Sequence, residues 1–167
     1  MKRFVLLALL VVTAVILQSA LLSRIRLFGV APDVIALTVI ALAILEGPFV
    51  GAASGFGGGV LRDVLLETPA GLSSISYLTV GYAVGSIRPY VQSTSVLVPI
   101  AAVGLGTLAS GAFYVLLTFL LGGPPEPLER VARVVGLTAV YNALLTPIFF
   151  PLIRRLSSLA PRERLFR

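Results

Sequence analysis

About six apolar runs follow one another along the 167 residues, and the polar segments between them are too short to hold a folded soluble domain. The runs cover roughly residues 4–22, 32–46, 49–66, 72–87, 95–121 and 131–152, and a basic tail occupies 153–167. Hydrophobic residues make up 57% of the chain and charged residues 12%, against roughly 45–50% and 25% in a soluble domain. A single core could not hide that much apolar surface, so the bilayer must act as solvent for most of it. The expected fold class is an all-α integral membrane protein, one domain built as a six-transmembrane-helix bundle.

Each run has a chemical start or stop. The first follows Met1-Lys2-Arg3, which looks like a secretory leader, but about nineteen apolar residues exceed the roughly 7–15 of a leader's apolar region. Ser19-Ala20 could mimic a cleavage site, yet five more runs follow. It is therefore expected to stay as an uncleaved helix. Pro32-Asp33 opens the second run, where proline's missing N–H had no partner to lose. Glu46-Gly47-Pro48 divides the second run from the third. Both are short, which predicts either a tight hairpin or two half-length helices; the hairpin is the better reading. Glu67-Thr68-Pro69-Ala70-Gly71 is a turn by composition, and Gly122-Gly123-Pro124-Pro125-Glu126-Pro127 is the clearest loop.

Charge sets an orientation. The net charge is +6, and the basic residues cluster at the ends of apolar runs, which points to topology and anionic headgroups rather than nucleic acid. With both termini inside, the cytoplasmic segments carry eight cations: Lys2, Arg3, Arg88, Arg154, Arg155, Arg162, Arg164 and Arg167. The outer segments carry four, Arg24, Arg26, Arg130 and Arg133. Eight against four predicts N- and C-termini in the cytoplasm.

Composition also removes much enzymology. The chain has no Cys and no His, which excludes thiolate nucleophiles, Ser–His catalysis and His-ligated zinc. Only Asp33 and Asp63 are aspartates, too few and too peripheral for an intramembrane aspartyl protease. The glycines at 55–59 are not a phosphate loop, since no Gly-Lys-Ser/Thr follows. No catalytic residue, cofactor or metal site is expected.

The polar and small residues that stand out suit helix packing or partner binding. Gly51, Gly55 and Gly59 recur at i+4, a small-xxx-small ridge of the kind that lets helices approach closely in lipid. Arg62 falls within about 20° of Gly51 and Gly55 around a helix, whereas Asp63 lies about 100° further round, so the two should make separate polar contacts. Arg62 could instead snorkel to the headgroups with Asp63 in water. Gly81 and Gly85 repeat the spacing. Gln18 and Asn142 are isolated polar residues suited to cross-helix hydrogen bonds. Asp33 at a helix start is explained by the helix dipole alone.

The segment from Gly51 through Arg62-Asp63 to Thr68-Pro69-Ala70-Gly71-Leu72 resembles the core of the rod shape-determining protein MreD family. So does Tyr77-Leu78-Thr79-Val80-Gly81-Tyr82 after it. Leu17-Gln18-Ser19, Pro32-Asp33 and Asn142 followed by Pro147 match as well; Arg62 departs, since the family more often has an apolar residue there. The resemblance implies a non-enzymatic adaptor of the bacterial cell-elongation complex in the inner membrane. Its implied partners are MreC and, beyond that, RodA with its partner transpeptidase and, indirectly, MreB, in support of lateral peptidoglycan synthesis. A homodimer stays open. The resemblance also implies a fold similar to the substrate-binding subunits of energy-coupling-factor transporters. The alternative is a small-molecule-binding subunit of a transporter, which would need Gln18, Arg62, Tyr82 and Asn142 to converge on a pocket.

Overall fold

A computed structural model describes residues 2–22, 28–65, 71–91 and 97–159. Seven α-helices account for most of them: α1 Lys2–Leu17, α2 Val34–Glu46, α3 Pro48–Leu65, α4 Leu72–Ser86, α5 Arg88–Val91, α6 Leu97–Leu120 and α7 Leu128–Ser158. A short π-helical segment, Gln18–Leu22, continues α1. Among the described residues, three helical stretches are long and apolar enough to cross a bilayer: Arg3–Ala20, Leu97–Leu120 and Leu128–Ser158. The helices α2 and α4 have 13 and 15 residues, about 20 Å each at 1.5 Å per residue, less than a hydrocarbon core of roughly 30 Å.

The shortest long helix lies at the centre. Every residue of α2 from Val34 to Ile44 is buried, as its unbroken apolar sequence requires, since a helix apolar on all faces needs neighbours on all faces. The helices α1, α3, α4, α6 and α7 all pack on it. Leu37, Ile40, Leu42 and Ile44 of α2 share one core cluster with Leu7, Val80, Val103 and Ile153, one from each of those neighbours except α3.

The α2–α3 boundary is a one-residue joint. Gly47 adopts a φ of 102°, open to glycine without penalty, and its N–H donates to the Ala43 carbonyl at 2.9 Å. Pro48 then begins α3. The two helices run back antiparallel, with Gly58 against Ile35 and Gly51 against Ala43.

Two boundaries differ from the sequence expectation. The sixth run was expected to end at Leu152, but α7 continues through Pro147 and Pro151 to Ser158 and takes Arg154 and Arg155 out of the tail. Ile153 and Ser157, one turn apart, are both buried, which keeps the chain helical; each proline removes only its own N–H, a loss that packed membrane helices tolerate. Between the fourth and fifth runs, Arg88-Pro89-Tyr90-Val91 forms α5 instead of a simple stop. Arg24, Arg26, most of the Glu67–Gly71 turn and residues 160–167 lie outside the described residues.

Contacts fix which ends lie together. The starts of α1 and α6 and the end of α7 share the cluster that holds Leu7, Val98 and Ile153, so Arg3, Glu46, Arg88, Arg154 and Arg155 occupy one end of the bundle. Asp33, Arg62 and Asn142 meet at the other end. From Asn142 back to Leu128, α7 runs about 20 Å further, paired with α6 through Gly111 and Val135.

Candidate functional site

The start of a buried helix presents N–H groups that have no intrahelical acceptor. Where water is excluded, each one left unpaired costs several kcal/mol. Three side chains answer this need at α2. Gln18 Oε1 accepts from Val34 N at 2.8 Å, while its Nε2 donates to the Pro32 carbonyl at 2.8 Å. Asp33 Oδ1 accepts from Ala36 N at 2.9 Å, an N-cap bond. Asn142 Oδ1 accepts from Asp33 N at 3.1 Å, and Asn142 Nδ2 donates to the Asp33 carbonyl at 2.9 Å and to Thr107 Oγ1 at 3.0 Å. Asn142 is fully buried, and these three bonds tie α7 and α6 to the first turn of α2.

The other oxygen of Asp33 reaches α3 and α4. Tyr77 donates its hydroxyl proton to Asp33 Oδ2 at 2.5 Å. Arg62 Nη1 donates to Tyr77 Oη and, at 3.3 Å, to Ser73 Oγ, and stands 3.8 Å from Asp33 Oδ2. The guanidinium also lies 5.5 Å from the Tyr77 ring centroid and 5.9 Å from that of Tyr114, within the range at which a cation is attracted to an aromatic face. Arg62 is thus part of a hydrogen-bonded cluster, with its side chain 29% exposed. Asp33, read from the sequence as a dipole partner only, is the hub of that cluster. A carboxylate has about four acceptor positions and a single N-cap bond uses one.

Asp63 points elsewhere. Its carboxylate is buried and accepts from Gly71 N at 2.8 Å. That bond holds the residue that precedes α4, where Gly71 has a φ of 101°. Arg62 and Asp63 therefore serve two separate contacts, one between helices and one across the turn.

The glycine ridges face each other. A Cβ placed on Gly51 would stand 2.4 Å from the Gly81 carbonyl oxygen, one on Gly55 2.4 Å from that of Tyr77, and one on Gly59 2.3 Å from Ser74 Cα. Gly81 meets Gly51 in return at 2.3 Å, and Gly85 meets Pro48 Cα at 2.4 Å. Real Cβ atoms do not approach so closely, so α3 and α4 touch backbone to backbone along their length. All five glycines lie inside the chain's own packing, which leaves none of these faces for a partner helix in the folded bundle.

Sequence reasoning missed several members. Tyr77, Ser73 and Thr107 are 97–99% buried; the i+4 spacing of Tyr77 with Gly81 and Gly85 was the available signal for the first. Glu46, read from the sequence as a flank of the second run, pairs at the far end of α2 with Arg3 of α1.

The arrangement holds helices together. No cluster of three or more His, Cys, Asp or Glu able to hold a metal occurs among the described residues. Gln18, Arg62 and Asn142 each reach the start of α2, at Val34 N, Asp33 Oδ2 and Asp33 N respectively; Tyr82 is 54% exposed. Residues 1–159 match the family model described as rod shape-determining protein MreD. No curated protein and no solved structure matches the chain.

Proposed function

The chain belongs to the rod shape-determining protein MreD family, and on that premise we propose that it is a non-enzymatic membrane adaptor of the cell-elongation complex. Membership supports a role in rod shape determination. The finer reading is that the bundle binds MreC and through it supports lateral peptidoglycan synthesis, with RodA, its partner transpeptidase and MreB as more distant associates. It places six helices across the inner membrane with both termini in the cytoplasm.

The observation that carries the adaptor reading is the use to which the polar side chains are put. Gln18, Asp33, Arg62, Tyr77, Thr107 and Asn142 bond to one another and to the backbone. Apolar helix surface, such as Leu105, Leu108 and Leu116 on α6, is exposed. Helices in lipid associate through such surfaces by close packing. The transporter-subunit alternative needs polar groups turned toward a ligand, and the convergent ones here are turned toward α2.

Co-expression of the tagged chain with the MreC-like protein of the same genome, followed by purification in mild detergent, tests the proposal. A stoichiometric complex that persists through size exclusion is expected. A monodisperse chain that repeatedly loses MreC would overturn the adaptor reading in its present form.

A further inference from the structure

The longest helix measures the bilayer. On α7, Arg133 and Arg154 are twenty-one residues apart with no charged residue between them. That is about 31 Å at 1.5 Å per residue, which matches a hydrocarbon core of roughly 30 Å. Asn142 is nine residues from Arg133 and twelve from Arg154, so it stands about 13 Å below Arg133, near the middle of that core. The helix α2 runs beside α7 in step with it. From Ile44 to Asp33 is eleven residues, and from Ile153 to Asn142 is eleven. The two isoleucines share one buried cluster, and Asp33 is hydrogen-bonded to Asn142. The cluster of Asp33, Tyr77 and Arg62 therefore lies as deep as Asn142.

Three helices stop at that depth. α2 starts at Val34, and α4 starts at Leu72 beside Ser73, which accepts from Arg62. α3 ends at Leu65, three residues past Arg62. α1 reaches the same depth at Gln18, and its π-helical continuation ends at Leu22. By contrast, α6 runs thirteen residues past Thr107 to Leu120, about 20 Å, and α7 keeps it company. The bundle is thus stepped, full height at α6 and α7 and short at α2, α3 and α4. Above the step is open space: a cavity of about 680 Å³ lies between Phe28 and Ala132, Arg133, Gly136 and Leu137 of α7. Phe28 and Gly29 there are exposed and non-helical, with φ of 53° and 80°. Exposed irregular backbone does not occur against lipid tails, since its N–H and C=O groups would go unpaired. On the step itself the side chains of Arg62 and Asp33 keep 29% and 18% of their exposure. Charged groups at such a depth face protein or water and not hydrocarbon.

We propose that the protein thins the bilayer over α2, α3 and α4: headgroups and water of one leaflet descend there to the level of Arg62 and Asp33, while the outward face of α6 stays in hydrocarbon of full thickness. A span too short for the local hydrocarbon thickness is accommodated in this way. The thinned leaflet is the one on the side of the α6–α7 loop. Thinning does not depend on whether MreC binds.

Two exposed residues at nearly one depth make the test. Leu65 ends α3 just past Arg62, and Leu108 on α6 follows Thr107; both are exposed, so cysteine at either leaves the packing intact. The full chain has no cysteine of its own. Single-cysteine variants in native membranes are treated with a charged, membrane-impermeant thiol reagent, applied from the side on which Pro125→Cys in the α6–α7 loop is labelled. The reacting form is the thiolate, which needs water, so Leu65→Cys is expected to react within roughly tenfold of the rate of Pro125→Cys, and Leu108→Cys about a hundredfold more slowly than Leu65→Cys. Val64→Cys and Leu105→Cys, also exposed on α3 and α6, repeat the comparison. Protection of Leu65→Cys and Val64→Cys equal to that of the α6 variants would overturn the proposal, because hydrocarbon would then cover the step. Fast labelling at all four positions would overturn it as well, because the whole chain would then sit in a thin or shallow layer and the step would not be what admits water.

Discussion

Asn142 shows how much one side chain can do in a bundle that excludes water. Its amide bonds to the N–H and the C=O of Asp33 at the start of α2 and to Thr107 of α6, and each of its three bonds has a buried end. A cross-helix hydrogen bond in lipid is worth about 0.6–2 kcal/mol, and a buried group left unpaired costs about 1–3 kcal/mol. Asn142→Ala removes one side of all three bonds and exposes Asp33 N to an apolar wall. The expected loss is about 2–4 kcal/mol of stability, seen as a lowered midpoint of thermal unfolding in detergent. Thr107→Val breaks one of the three and should cost about 1 kcal/mol. Equal midpoints for the parent and Asn142→Ala would mean that the start of α2 finds other acceptors. The sequence marked Asn142 and Gln18 as polar residues in apolar runs, and their pairing with other helices was the expected chemistry. It could not mark Asp33 as their common partner, because a carboxylate at a helix start already has a local explanation.

Among the elements, α3 and α4 carry the closest contact. Both pack with no intervening side chains at Gly51, Gly55, Gly59, Gly81 and Gly85, and this closeness is what short helices such as α4 gain in place of length. The contrast between neighbouring glycines of α3 gives a prediction of opposite signs. Gly55→Ala puts a methyl 2.4 Å from the Tyr77 carbonyl oxygen and should destabilise by about 1–3 kcal/mol, the usual range for overpacking. Gly57→Ala meets open space and should stabilise by up to about 1 kcal/mol through helix propensity. Guanidine-free thermal melts of the two purified variants, run in the same detergent, decide the matter. If both shift the same way, the α3–α4 contact is looser than the backbone geometry implies. The ridge itself was legible as an i+4 repeat, and its partner was not. Spacing says which residues share a face, while the identity of the opposing helix depends on how the chain turns at Gly47 and Gly71.

At the scale of the molecule, charge separates along the bundle axis. Arg3, Arg88, Arg154 and Arg155 stand with Glu46 at one end; Asp33, Asp63, Glu126 and Glu129 stand with Arg62, Arg130 and Arg133 at the other. The excess of cations at the first end is the pattern that holds a segment in the cytoplasm. Because the chain has no cysteine, single cysteines report orientation without background. In intact spheroplasts, a membrane-impermeant maleimide is expected to label Pro125→Cys in the α6–α7 loop. Ser158→Cys at the end of α7 should react only after permeabilisation. The reverse pattern would invert the proposed topology.

What the sequence determined by itself follows from local rules. Apolar runs near membrane length imply helices in lipid, Gly and Pro mark where they stop, small residues at i+4 mark a packing face, and missing His and Cys remove whole classes of chemistry. Those properties depend on a residue and its near neighbours along the chain. Only the tertiary structure decided that the second run is the buried axis, that α7 continues past Leu152 to Ser158, and that Asp33 gathers Tyr77, Arg62 and Asn142 from three other helices. The last bond spans 109 residues of sequence. Its cause is physical: donors at the start of a helix surrounded by other helices must find acceptors on those helices, and no local pattern records which helix lies nearest.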